Sequence, residues 1–181
     1  MMKRELNISF LQECLTYEAS TGRLFWKRRP SEHFSNENVC AIWNAKYAGK
    51  MAGSPNAKKR WSTKINAVLY QNHRIAWALY YGSWPDDQID HINGDPEDNR
   101  IVNLRIVTNA ENQKNASRKK TNKSGVTGVC WHERGKVWQA NIRGNGRFLY
   151  LGSFKRLEDA VAARKKAEEQ YGYHPNHGRA A

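Results

Sequence analysis

The sequence predicts an α+β chain of two small modules joined by a basic linker, and three observations predict it. Residues 73–118 run helix, strand, loop, strand, helix. Residues 117–123, SRKKTNK, hold four basic side chains and no hydrophobic one, a composition that cannot bury itself. Beyond them, three strand-like runs separated by glycine-containing turns precede one amphipathic helix. A length of 181 residues suits one ordinary domain or two small ones.

Residues 1–70 contain aromatic-rich pieces such as GRLFWKRRP and turn-rich stretches such as AGKMAGSPNAKKRW, which read as a β-rich N-terminal extension of a few strands joined by basic loops. Trp26, Trp43 and Trp61 are expected to pack a small core, with a base-stacking surface as the alternative. The start, MMKRELNISFLQECL, is basic, but Gln12 and Glu13 interrupt its apolar stretch, which makes a poor signal peptide. No run is long enough to span a membrane. Cys14, Cys40 and Cys130 are isolated, so neither a zinc site nor a disulfide framework is indicated, and a reduced, cytoplasmic setting fits.

In the next segment, 71–116, HRIAWALYYG places Ile75, Trp77, Ala78 and Tyr81 on one helical face, with Gly82 as terminator. Pro85 breaks the chain, IDHINGD carries a tight Asn93-Gly94 turn, and DPEDNRIVNLRIVT brings a second apolar run. Asp95 and Asp98 read as loop-stabilising carboxylates rather than ligands. Thr108 is a natural N-cap for NAENQKNASRKK. After the linker, residues 124–172 offer the strands GVTGVCWHER, KVWQANIRG and RFLYLGSF, then a helix, LEDAVAARKKAEEQYG. That helix is expected to turn Leu157, Ala160, Val161, Ala167 and Tyr171 toward the sheet and its charges elsewhere. Residues 173–181 read as a frayed tail.

A net charge of +13 and a pI near 9.8 point to a polyanionic partner, nucleic acid first. By segment the charge is +7 over residues 1–70, −3 over 71–116 and +9 over 117–181. Basic ends that grip phosphates around a middle whose carboxylates hold a cation would give this pattern, and so would chance clustering.

Cutting a phosphodiester needs a base for water, a cation for the charge building on phosphate, and a rigid frame. Asp90 and His91 stand side by side, but adjacent strand residues point to opposite faces, so both serve one site only at a strand end or a distortion. Asn112, one turn into the last helix of the segment, offers an amide oxygen to the same cation as Asp90. Oxygen donors of this kind suit Mg²⁺ or Mn²⁺ better than zinc. On residue chemistry alone, an Asp-His pair is also the stuff of ordinary surface turns.

HRIAWALYYGSWPDDQIDHINGDPEDNRIVNLRIVTNAENQKN resembles the HNH endonuclease motif of the phage and intron-encoded homing type, a ββα fold around one metal ion. The resemblance implies His91 as general base, Asp90 and Asn112 as metal ligands, and Asn103 as the residue tying the loop between the strands. Asn112 stands where many relatives have a second His, an H-N-N variant that argues against tight zinc or nickel binding. Relatives often carry HR where His73 and Arg74 stand, for phosphate contact or core-edge packing.

Residues 124–172 are similar to the DNA-binding domain of plant APETALA and ethylene-response factors, also found fused to HNH nucleases in phages. The similarity implies a three-stranded antiparallel sheet in the major groove, with Trp138, Arg143, Arg134, Lys136 and Arg147 at or near contact positions. Cys130 replaces a base-reading Arg, so plant-type sequence preference does not carry over. Along VWQANIRG, alternation puts Gln139, Asn141 and Arg143 on one face and Trp138 on the other, which favours Trp138 as core. Arg118, Lys119, Lys120 and Lys123 of the linker complete the expected DNA-contacting set.

The reading is an endonuclease that hydrolyses duplex DNA with one Mg²⁺ or Mn²⁺, without membrane or small-molecule cofactor, leaving 5′-phosphate and 3′-hydroxyl ends by family resemblance. Its rivals are a non-catalytic DNA-binding regulator that keeps the nuclease scaffold and, more distantly, a basic RNA-binding protein. Truncation after Lys120 is expected to spare the metal site.

Overall fold

The structure, a computed structural model, describes residues 5–179. The first residues of the expected extension, 1–4, and the end of the tail, 180–181, lie outside the described residues. The chain forms two compact units, residues 1–106 and 107–181.

In the first unit, α1 (Ile8–Cys14) starts where the Asn7 side chain accepts from Ser9 N–H. A hairpin follows, β1 (Leu15–Glu18) against β2 (Arg23–Trp26), registered from Leu15 opposite Trp26 to Glu18 opposite Arg23. Then come α2 (Glu37–Tyr47), capped by Asn36, and a small antiparallel sheet of β3 (Ser54–Pro55), β4 (Trp61–Ile65) and β5 (Val68–Gln71). The expected β-rich extension is therefore mixed. Helix α2 escaped the sequence reading because it buries only Asn44 and so carries no apolar stripe.

The extension shares a core with α3 (Asn72–Tyr81). Leu11, Leu24, Trp26, Ile65 and Tyr70 pack with Ile75 and Ala78 of that helix. Trp43 meets Trp26 edge-on, ring centroids 5.0 Å apart, so these two tryptophans pack as a core pair. Helix α3 ends at Gly82 in the left-handed region, but its buried face differs from the expected one. Tyr81 is 53% exposed, and Ala76 instead packs on Ile89 and Leu104. The helix is buried on two sides, which a single-stripe pattern does not describe. Ile89 and Leu104 lie on a two-stranded sheet, β6 (Gln88–His91) with β7 (Leu104–Val107).

The second unit opens with α4 (Asn109–Lys114), whose N-terminus is closed by a reciprocal capping box between Thr108 and Glu111. The sheet runs β10-β9-β8, from β8 (Val129–His132), β9 (Val137–Gly144) and β10 (Arg147–Phe154). Helix α5 (Leu157–Gln170) covers one face, and Val129, Ala140 and Ala160 form the core between them.

Two expectations are corrected here. Arg164 and Glu168 of α5 are buried instead of solvated: their side chains pair at 3.0 Å, and Arg164 also donates to the Asn141 carbonyl and, at 3.2 Å, to His177 Nε2. The tail is also tied down as far as it is described. Arg118 N–H donates to the Arg179 carbonyl at 2.8 Å, Gly178 N–H to Ala116 at 2.9 Å, and the Lys114 ammonium to Tyr171 at 2.7 Å. Residues 114–118 and 171–179 thus stabilise one another, and truncation after Lys120 removes the partners that hold the end of α4.

Candidate active site

In the first unit, strand β6 ends at His91, which answers the geometric objection to adjacent Asp90 and His91: both are 8% exposed at the end of the strand. The loop that follows is fastened by Asn103. Its backbone carbonyl accepts from Ile92 N–H at 2.9 Å, its side-chain oxygen from Asn93 N–H at 2.9 Å, and its amide donates to the Asp98 carbonyl at 2.7 Å. Asp95 accepts from Glu97 N–H at 3.0 Å, and Asp98 takes Asn93 and a forked pair of bonds from Arg100. The Arg100 guanidinium holds the Asp98 carboxyl down at about 2. Both acids therefore stiffen the loop.

His91 Nε2 lies 3.0 Å from Asn99 Oδ1, with Asn99 itself 4% exposed. Burial pushes the His91 imidazole below the ordinary histidine value, opposed by the Asn99 hydrogen bond and the Asp90 carboxylate. A buried, neutral imidazole of this kind can take a proton from water. His73 stands edge-on to His91 with ring centroids 5.3 Å apart. Burial first, and the neighbouring His91 second, lower His73 to about 3. His73 is 6% exposed and packs against His91. Arg74 is also committed, donating to the carbonyls of Pro85 and Asp87 at 2.9 Å each and to Glu5 at 3.4 Å.

Asp90 has a partner that sequence reading missed. Arg105 of β7 donates to Asp90 Oδ2 from Nε at 3.1 Å and from Nη2 at 2.8 Å. The pairing of β6 with β7 brings the two side chains together. The guanidinium occupies Oδ2 of this carboxylate. Among the described residues, no three His, Cys, Asp or Glu side chains are gathered in a metal-holding group. The Asp90 carboxylate offers oxygen donors, the kind that suits Mg²⁺ or Mn²⁺. Asn112 lies on α4, in the second unit.

Within the second unit, the helix-free face of the sheet carries Gln139, Asn141 and Arg143, with Cys130 opposite Gln139, Tyr150 opposite Asn141 and Phe148 opposite Arg143. Phe148 and Tyr150 are 71% and 59% exposed. Trp138 faces the helix side, packed on the core and edge-on to Trp131 at 5.1 Å. Arg134 and Lys136 are exposed in the turn after β8, where Lys136 pairs with Glu133. Arg147 is exposed at the start of β10, opposite Gly144. Lys119, Lys120 and Lys123 are exposed, whereas Arg118 donates to the Gly125 carbonyl. Alternation therefore sorts β9 as expected, but Phe148 and Tyr150, legible only as hydrophobic residues, stand on the open side. No helix among the described residues is long and apolar enough to cross a membrane.

A family model for HNH endonuclease matches residues 70–114. The chain is similar to Protein 3.8 of Escherichia phage T7, with 31% identity over 103 residues that cover 56% of this chain and 85% of the relative. No solved structure matches.

Proposed function

The chain belongs to the HNH endonuclease family, and from that premise we propose that it is a metal-dependent, site-selective endonuclease of the homing type acting on duplex DNA in the cytoplasm. The observation that carries this reading is His91: a buried imidazole at the end of β6, beside Asp90, in a loop fastened by Asn103.

Asp90 would be a ligand of one Mg²⁺ or Mn²⁺, which when bound supplies positive charge to the phosphate oxygens. His91 takes a proton from the attacking water as its oxygen forms a bond to phosphorus. The bond from phosphorus to the 3′ oxygen breaks, and that oxygen leaves and is protonated, which gives 5′-phosphate and 3′-hydroxyl ends. Asn103 keeps the loop rigid, and with it the imidazole, so no reorganisation is needed during the reaction.

Cleavage of duplex DNA is expected to require Mg²⁺ or Mn²⁺ and to stop with excess chelator, and Asp90→Ala should raise the metal concentration needed or abolish turnover. Undiminished cutting in chelator would exclude the metal-dependent reading.

The second unit, which the resemblance to the APETALA type makes a DNA reader, would present Gln139, Asn141 and Arg143 to the groove. Arg134, Lys136, Arg147 and the lysines at 119, 120 and 123 would contact phosphates. Arg143→Ala is expected to weaken DNA binding and, where Arg143 meets a phosphate, to make the slope of log affinity against log salt shallower by about 1. Binding titrations at several salt concentrations check this, and an unchanged affinity and slope would take the open face out of the interface.

A further inference from the structure

We propose that Asn99 is the positioning residue for His91, fixing which ring nitrogen carries the proton, and that the N-terminal hairpin serves the active site by holding Asn99 in place. This rests on the reading of His91 as the base, and it gives the N-terminal extension a role in the chemistry.

Asn99 Oδ1 is 3.0 Å from His91 Nε2. An amide oxygen only accepts, so Nε2 must be the protonated nitrogen and the lone pair belongs to Nδ1. The amide is oriented by its own NH₂ group, which points to the Glu97 carbonyl at 3.5 Å, and by burial of the residue to 4% exposure. On the far side of the imidazole, His73 stands edge-on at 5.3 Å between centroids. The ring is held at one nitrogen by a directional bond and on another side by packing.

Asn99 is in turn held from a distant part of the chain. The Tyr17 hydroxyl, on β1, donates to the Asn99 carbonyl at 2.8 Å. Tyr17 also packs against the cluster of Ala76, Ile89 and Leu104 that supports β6. The hairpin turn sits directly on the same peptide. Gly22 has φ +75°, and a Cβ there would lie 2.5 Å from Arg100 N and 2.6 Å from Asn99 C, so only glycine allows the approach. The hairpin therefore touches the Asn99–Arg100 segment by a hydrogen bond from one strand and by backbone contact from the turn.

The test uses the full chain, with the His91 imidazole observed by nitrogen-15 NMR beside DNA cleavage. The native protein is expected to show a proton on Nε2 protected from exchange and an unprotonated Nδ1. Asn99→Ala should lose the protected proton and about 10- to 100-fold in kcat, with KM for DNA little changed. Asn99→Asp, which keeps an acceptor oxygen, should retain the proton and recover much of kcat. Tyr17→Phe, a mild change that keeps the fold if Asn99→Ala does not, should speed exchange of the Nε2 proton and lower kcat several-fold. A native spectrum with the proton on Nδ1, or wild-type kcat with the Nε2 proton still protected in both Asn99→Ala and Tyr17→Phe, would overturn the proposal. Full cleavage by His91→Ala alongside a protected Nε2 proton in the native protein would instead overturn the role of His91 as base, and with it the catalytic half of the proposal.

Discussion

His91→Ala is expected to lower the rate of strand cleavage by about 10²- to 10⁴-fold while leaving DNA affinity nearly unchanged. The two effects separate because the imidazole acts on water in the transition state and contributes little to holding the duplex, which falls to the basic surface. His91 is only 8% exposed, so its removal leaves a small cavity rather than an open wound in the surface. The loop it heads stays fastened by Asn103, which bonds Ile92, Asn93 and Asp98 and not the imidazole. Single-turnover cleavage measured beside equilibrium binding checks both halves of the prediction. A variant that cuts at the full rate would remove His91 from the mechanism, and one that no longer binds DNA would show the residue to be structural.

The second large effect is on stability. Arg164→Ala is expected to destabilise the second unit by about 3–5 kcal/mol, the range for breaking a buried ion pair by removing one partner. Arg164 is 3% exposed and Glu168 7%. Removing the guanidinium leaves the Glu168 carboxylate with the Lys165 ammonium at 2.7 Å and withdraws donors from the Asn141 carbonyl and His177. These groups link α5, β9 and the tail, so the loss spreads across the unit and should release residues 173–179 as well. Urea unfolding followed by the near-ultraviolet signal, with hydrogen exchange on the tail, measures both. A change under about 1 kcal/mol, the scale of an exposed pair, would mean that the cluster contributes little.

That cluster also shows what the sequence does and does not disclose. Helix α5 was legible as a helix because its apolar residues recur at helical spacing. Its buried charges were not, because an Arg and a Glu four residues apart look the same on a solvated face as under a folded-back tail. The candidate catalytic segment was legible for the opposite reason: Asp90, His91, Asn103 and Asn112 are a short-range pattern. Arg105 and Asn99 lie inside the same segment, yet their contacts depend on how the loop closes. Tyr17 carried no signal at all, since it reaches Asn99 across 82 residues of sequence. The anchoring around Arg118 was hidden on similar grounds, since its backbone partner is Arg179, far along the chain.

End-mapping of the products decides whether this chain cuts DNA with His91 as the base. Full-length protein incubated with Mg²⁺ and phage or host genomic DNA should yield breaks at recurrent positions, each with a 5′-phosphate and a 3′-hydroxyl. A His91→Ala preparation purified in parallel should yield almost none. Intact DNA under both conditions, or the same breaks at the same rate from both preparations, would contradict the account.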